Sequence, residues 1–369
     1  MSHAAVSIIM PIYNAADFLK ESLGSALQQT LKEIEIICVN DGSKDQSLEI
    51  IKQYAAYDGR IKIIDKENSG YGHSMNIGLQ IATGEYIGIL EPDDFADANM
   101  YEFLFQTAQK QNADVVKSNY YEYRQKKKED TFFEVLKGQE YNVVTSAETD
   151  EYLVFMRPCI WSAIYRRDFL VQNHIQFNET PGASYQDTAF SFKVWMCAQR
   201  VVFVKEGFLH YRIDNENSSV NSSDKIFSIC DEFNSIQSFL NSNKLKKDKF
   251  SKILQVLKFD SYMWNLERIS DDYKNYFTDQ IALEFLKAEN EKILCRDYFD
   301  EIRWEQIQNI LASYKERRGG AAENYNYTLL KQRVYDLENS HSYKVGHALM
   351  ILPAAIKRTV ITFRNGRNQ

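Results

Sequence analysis

Proline and glycine are scarce in this chain, 5 and 15 among 369 residues. So few turn formers point to long helices over at least part of its length. The five cysteines, Cys38, Cys159, Cys197, Cys230 and Cys295, are odd in number and widely spaced. With no Cys-x-x-Cys pair they indicate neither a zinc site nor a disulfide framework, which fits a reducing compartment. A long apolar run is also missing, so no membrane-spanning helix is expected. The opening "MSHAAVSIIMPIY" has no basic stretch before its short apolar run and does not read as a signal peptide. A formal charge of −7 argues against a general nucleic-acid coat. The expectation is a cytoplasmic protein, soluble or at most attached to a membrane surface.

What is abundant is apolar and aromatic: 44% of residues are hydrophobic, with 23 Tyr and 22 Phe, enough for a sizeable core. The first 110 residues switch between two periods. "VSIIMPI" (6–12), "IEIICVN" (34–40), residues 61–64 and residues 86–90 read as buried strands. Helical spacing covers 15–30, 45–57 and 72–83 between them. Strand–helix alternation with near-continuous apolar strands predicts an α/β fold with a mostly parallel sheet covered by helices. Such sheets bind ligands beyond the carboxyl ends of their strands. Three polar clusters fall at such ends: Tyr13-Asn14, Asn40-Asp41 and Glu91 to Asp94.

Residues 97–222 are mixed, with helices predicted at 97–111 and 185–198 and strands at 113–124, 201–204 and 208–212. "RQKKKED" (124–130) reads as a solvated loop tip. The polar "DNENSSVNSSD" (214–224) marks a boundary, residues 225–317 read as helices, and "RRGGAAENYN" (317–326) marks a second boundary. The predicted organisation is therefore 1–222 (halves 1–110 and 111–222), a helical domain 223–318, and a linker with a basic tail 319–369. Five basic and no acidic residues follow Ser342, interleaved with apolar ones. That composition suits an interfacial segment, or a helix packing on the domain or on another subunit.

"YIGILEPDDF" (86–95) carries a buried strand straight into Glu91, Asp93 and Asp94. Carboxylates this close repel one another unless a cation, hydrogen bonds or solvent offset the cost. Hard oxygen ligands suit Mg²⁺ or Mn²⁺, which take one or two protein carboxylates plus substrate phosphates. Taken alone, "PDD" favours a strand-end turn whose Asp94 caps the next helix.

Context adds to this. "VSIIMPIYNAADFLKESLGSALQQT", "EIICVNDGSKDQS", "NSGYGHSMNIGLQIATGEYIGILEPDD", "WSAIYRRDFL" and "YQDTAFSFKVW" occur in order through the first 220 residues. Together they resemble the inverting glycosyltransferases of family 2, which have the GT-A fold. The resemblance does not cover residues 225–369. It implies a bacterial glycan-assembly enzyme at the cytoplasmic face of the membrane, moving a hexose-type sugar from a UDP-sugar to a glycan, glycolipid or glycoprotein acceptor.

The resemblance also implies site residues. Asp94 would be the direct metal ligand, with Asp93 at the metal and donor. Glu91 stands where the family usually has Asp. Asp41 would accept a hydrogen bond from uracil, with Pro11, Tyr13 and Asn14 lining the base pocket; Asn68, Gly70 and Asn76 complete the donor side. Asp187 matches the base that removes the acceptor proton, a role that must come from a segment other than the metal site. Trp161 matches an acceptor-side aromatic, and its indole is equally suited to a core. One departure is Ser74-Met75-Asn76, where the family usually has Ala-Arg-Asn; His73, His210 or Arg212 would then supply the positive charge for the diphosphate. A catalytically silent nucleotide-sugar-binding or scaffold protein is the alternative function. A nucleotidyltransferase would show a Gly-rich phosphate loop after the first strand, and "PIYNAAD" has none.

Overall fold

The computed structural model describes residues 4–136, 138–215 and 226–317. Strand β1 (Val6–Ile12) leads into helix α1 (Ala16–Leu27), β2 (Ile34–Asp41), α2 (Ser47–Tyr57), β3 (Ile61–Lys66), α3 (Tyr71–Ile81) and β4 (Tyr86–Ile89). β1, β2 and β4 are buried along their whole length, as their unbroken apolar runs require. The chain continues through β5 (Phe95–Ala96), α4 (Met100–Gln111), β6 (Val115–Arg124), β7 (Glu129–Phe133) and β8 (Val144–Thr145). After β9 (Ala163–Arg166) come α5 (Arg167–Gln172), α6 (Gln186–Cys197) and β10 (Val201–Arg212). Four helices follow: α7 (Ser228–Ser242), α8 (Lys244–Arg268), α9 (Asp271–Asn290) and α10 (Glu301–Arg317).

The main sheet has the order β3-β2-β1-β4-β9-β6-β10-β5, with β7 pairing β6 and β8 pairing β10. β1 to β4 are parallel; β9 runs antiparallel between β4 and β6, and β10 is parallel to β6. β1, β2, β3, β4, β6 and β10 therefore point the same way, and their carboxyl ends share one edge. The reversed β9 brings its amino end, with Trp161 and Ser162, to that edge. β5 does the same for Asp93 and Asp94, because Phe95 pairs with His210 near the end of β10.

Two expected strands, 201–204 and 208–212, are one. The register shifts around Gly207, and the exposed Lys205-Glu206 form an irregularity rather than a break. The lysine-rich excursion is only partly a loop. Its lysines form a turn, while Glu129–Phe133 folds back on β6 as an exposed hairpin strand.

Two compact units divide the chain, 1–269 and 270–369. The first holds the sheet together with α7 and α8. In the described part of the second, α9 and α10 bury Phe277, Ile281, Phe285, Ile307 and Leu311. Most of the expected boundary at 214–224, and the linker and basic tail of 319–369, lie outside the described residues.

Candidate active site at the carboxyl edge of the sheet

Asp41 ends β2 and is 4% exposed. Its Oδ1 accepts from Ser69 N (2.8 Å) and Oδ2 from Gly70 N (2.9 Å), and Lys66 forms an ion pair with it. The carboxylate thus pins the 66–70 loop under the edge and keeps spare lone-pair capacity. Gly70 has φ +94°, and a Cβ there would stand 2.9 Å from Thr180 O. Only glycine fits where the 178–182 loop crosses so closely. Asn14 is left-handed (φ 49°); its Oδ1 accepts from Lys44 N (2.7 Å), and Ser43 Oγ accepts from its N–H (3.0 Å). Tyr13 is 52% exposed. Pro11 is buried inside β1 and Asn68 is exposed.

Past β4 the chain turns at Glu91 to Asp94. Glu91 Oε1 accepts from the Tyr71 hydroxyl at 2.6 Å. Burial drives the Glu91 carboxyl up to about 8; the Tyr71 bond opposes this, and the charges of Asp93 and Asp187 add to it. Asp94 is 1% exposed. Its Oδ1 accepts from Arg212 N (2.8 Å), whereas Oδ2 is buried with no hydrogen-bond partner. Burial first, then the charge of Asp93, pushes the Asp94 carboxyl well above the ordinary range. It does not cap α4, whose N-cap is Asn99. Asp93 Oδ2 accepts from Asn215 Nδ2 at 2.9 Å.

Among the described residues no three His, Cys, Asp or Glu side chains converge as ligands for a metal. A pair does meet the requirement of a divalent ion that shares its shell with phosphates. Asp94 brings a buried, unpartnered oxygen, and Asp93 lies beside it.

Asp187 lies in the first turn of α6, from a segment about 90 residues further on, and is half-buried. Burial raises its carboxyl to about 6, opposed by backbone N–H groups of the helix start and by the charge of Arg157. The charges of Glu91 and Asp187 reach each other, so the fold brings the two carboxylate segments to one place.

Other expected residues have different partners. Arg212, 2% exposed, donates to Asp93 O (2.7 Å), Gln125 Oε1 (2.8 Å) and Glu21 Oε2 (2.7 Å), and lies over Phe18 and Tyr123. Its guanidinium anchors the 93–94 turn. His210 bridges Asp130 (2.7 Å) and Asp97 (3.3 Å), sandwiched between Phe95 and Tyr121. His73 pairs with Glu179 (3.0 Å), and Asn76 brackets Phe177 and Glu179, so both secure the 177–179 loop. Met75 is fully buried. Trp161 is 7% exposed, stacked on Tyr211 (5.0 Å) and edge-on to Tyr120 (4.7 Å).

Several residues carried no sequence signal. Arg157 is exposed, lies over the Tyr211 ring (5.6 Å) and touches the Tyr120 hydroxyl (3.1 Å). Tyr185, two positions before Asp187, is left-handed (φ 61°), an uncommon state for a bulky side chain. Its hydroxyl donates to Asn265 Oδ1 (2.7 Å) and accepts from Arg268 (3.0 Å), both on α8. Glu232 on α7 is buried; Asn178 donates to one oxygen (3.1 Å) and the other is unpartnered. Burial lifts its carboxyl to about 8.

A mostly parallel sheet with a reversed strand and carboxylates at its carboxyl edge defines the GT-A class of transferase fold. Crystal structures of S. aureus TarS 1-349, one in complex with UDP-GlcNAc, share it: TM-score 0.67 over 86% of this chain and 93% of that one, at 17% identity. Residues 7–172 match Glycosyl transferase family 2. The "Glycosyltransferase GlyG" of Streptococcus pneumoniae is 33% identical over 215 residues, 56% of this chain and 70% of GlyG. The "Uncharacterized glycosyltransferase EpsJ" of Bacillus subtilis is 35% identical over 219 residues, 58% of this chain and 62% of EpsJ. The chain belongs to glycosyltransferase family 2. Its match therefore spans less than two thirds of EpsJ.

Proposed function

We propose that the protein is a metal-dependent, inverting hexosyltransferase that moves a sugar from a UDP-sugar to a glycan, glycolipid or glycoprotein acceptor. The observation that supports it is the buried and unpartnered oxygen of Asp94, in a turn whose Glu91 lies within reach of the Asp187 charge. The TarS complex with UDP-GlcNAc supports a uridine nucleotide as donor. Asp41, Tyr13, Asn14, Pro11 and Asn68 hold the uridine, with Gly70 shaping the loop beneath it. Asp94 and Asp93 would hold Mn²⁺ or Mg²⁺. When bound, the ion supplies positive charge to the diphosphate as negative charge builds on it.

Asp187 takes the proton of the acceptor hydroxyl while that oxygen attacks the anomeric carbon from the face opposite UDP. The new carbon–oxygen bond forms as the bond to the diphosphate breaks, and the configuration inverts. A carboxyl lifted to about 6 is mostly ionised at neutral pH yet more basic than an ordinary aspartate. Trp161 and Tyr211 form the wall on the acceptor side.

The test is UDP release from a panel of nucleotide sugars with and without Mn²⁺. Full turnover by Asp94→Ala or Asp187→Ala would sink the assignment. UDP binding without turnover of any donor would instead favour a silent scaffold. In the same reading the enzyme works at the cytoplasmic face of a bacterial membrane, its basic tail touching lipid or a second copy. Truncation after Ser340 is then expected to weaken vesicle flotation or change oligomer size.

A further inference from the structure

Helix α8 lies beyond the segment that matches the family, which ends at residue 172. One turn of it nevertheless meets the segment that carries Asp187. Trp264, Asn265 and Arg268 all contact Tyr185. Trp264 packs edge-on against its ring (5.9 Å), and the other two bind its hydroxyl. Asn265 is buried and ties back to Ile226 O (3.0 Å), so this turn of α8 is anchored. Trp264 is 44% exposed and the Arg268 guanidinium lies 4.0 Å from its ring centre. Arg268 forms no ion pair among the described residues, in a protein whose net charge is −7.

We propose that Trp264 and Arg268 form an acceptor subsite for a sugar ring that carries an anionic group, a phosphate or a carboxylate. This rests on the reading of Asp187 as the base. The chemistry of each part fits. An indole presents a large rigid apolar surface to the C–H face of a pyranose. A guanidinium without a carboxylate partner offers forked donors that match phosphate or carboxylate oxygens. The stacked Arg268 is held in place by its contacts with the indole and the Tyr185 hydroxyl, so less side-chain freedom is lost on binding. Tyr185 links this platform to Asp187 two residues away. An acceptor held here would present its next sugar towards the base. The donor half of the site lies within the family segment, whereas this platform does not.

The experiment uses the full chain and three probes, glucose, glucuronate and glucose 6-phosphate, with inorganic phosphate as a competitor. Binding is followed by saturation-transfer NMR and tryptophan fluorescence, and UDP affinity is measured alongside. The wild type is expected to bind at least one charged sugar about tenfold tighter than glucose, the size of one charge-assisted contact. Whether glucuronate or glucose 6-phosphate wins tells carboxylate from phosphate. Trp264→Ala should weaken all three sugars, Trp264→Phe less so, and Arg268→Gln should remove the preference for charge. Equal affinity for glucose and both charged sugars, unchanged binding in Trp264→Ala, or inorganic phosphate binding as well as the sugar phosphate would overturn the subsite. Absence of UDP binding in the wild type would instead count against the donor-site reading.

Discussion

Lowering the pH from 7 to 5 tests the carboxylate set to which Asp187 belongs. Burial lifts the Asp187 carboxyl to about 6, and only its ionised form accepts a proton. With ionisation changing tenfold per pH unit below that value, about nine-tenths of molecules are competent at pH 7 and about one-tenth at pH 5. kcat/KM for UDP release is therefore expected to fall about tenfold across the interval, whereas an aspartate at its ordinary value would lose almost nothing. Unfolding does not produce the loss through this group. A carboxyl whose folded value is raised binds its proton more tightly in the folded state, so its contribution to stability rises as the pH falls through 6. The positive charge of Arg157 holds Asp187 down, so Arg157→Met should move the inflection upward at low salt. The assay is a pH profile of donor hydrolysis at saturating Mn²⁺, with circular dichroism at each pH. Glu91 titrates in the same neighbourhood, so the profile belongs to the coupled set, and Asp187→Asn isolates the base. A flat wild-type profile from pH 5 to 7, or an inflection that moves downward in Arg157→Met, refutes the reasoning.

Arg212→Met removes three donated bonds from a buried guanidinium, and one partner, Glu21, is exposed enough to rehydrate. A loss of about 2–4 kcal/mol in urea unfolding is expected, with weaker Mn²⁺ binding as the Asp93-Asp94 turn loosens. Tyr185→Phe deletes both bonds from α8 to the strained residue before the base. Its kcat should fall about tenfold with UDP affinity unchanged, because only the aim of Asp187 is disturbed. Gly70→Ala meets Thr180 O and an unfavourable φ, so it should cost about 1–3 kcal/mol by thermal melting and weaken UDP binding.

The strands of the first half were legible because burial on both faces demands unbroken apolar runs. β1 matches its expected limits, and β2 ends one residue later than read. β7 was hidden because its "EDTFF" is exposed and held by pairing with β6, which no local pattern announces. His73, Asn76, His210 and Arg212 were assigned by their place in the chain. The partners that decide what each side chain does, Glu179, Phe177, Asp130 and Asp93, come from other segments.

By itself the sequence determined the alternation that makes a parallel sheet, and the polar residues that must stand at its carboxyl edge. Those follow from local periodicity and from strand ends, which nearest neighbours fix. Only the tertiary structure decided that Arg212 anchors the carboxylate turn, that Asp94 keeps an unpartnered oxygen, and that α8 reaches the segment holding Asp187. Burial and hydrogen-bond pairing between residues 80 to 191 positions apart are set by how the layers close on one another, and a linear pattern carries no record of that closure.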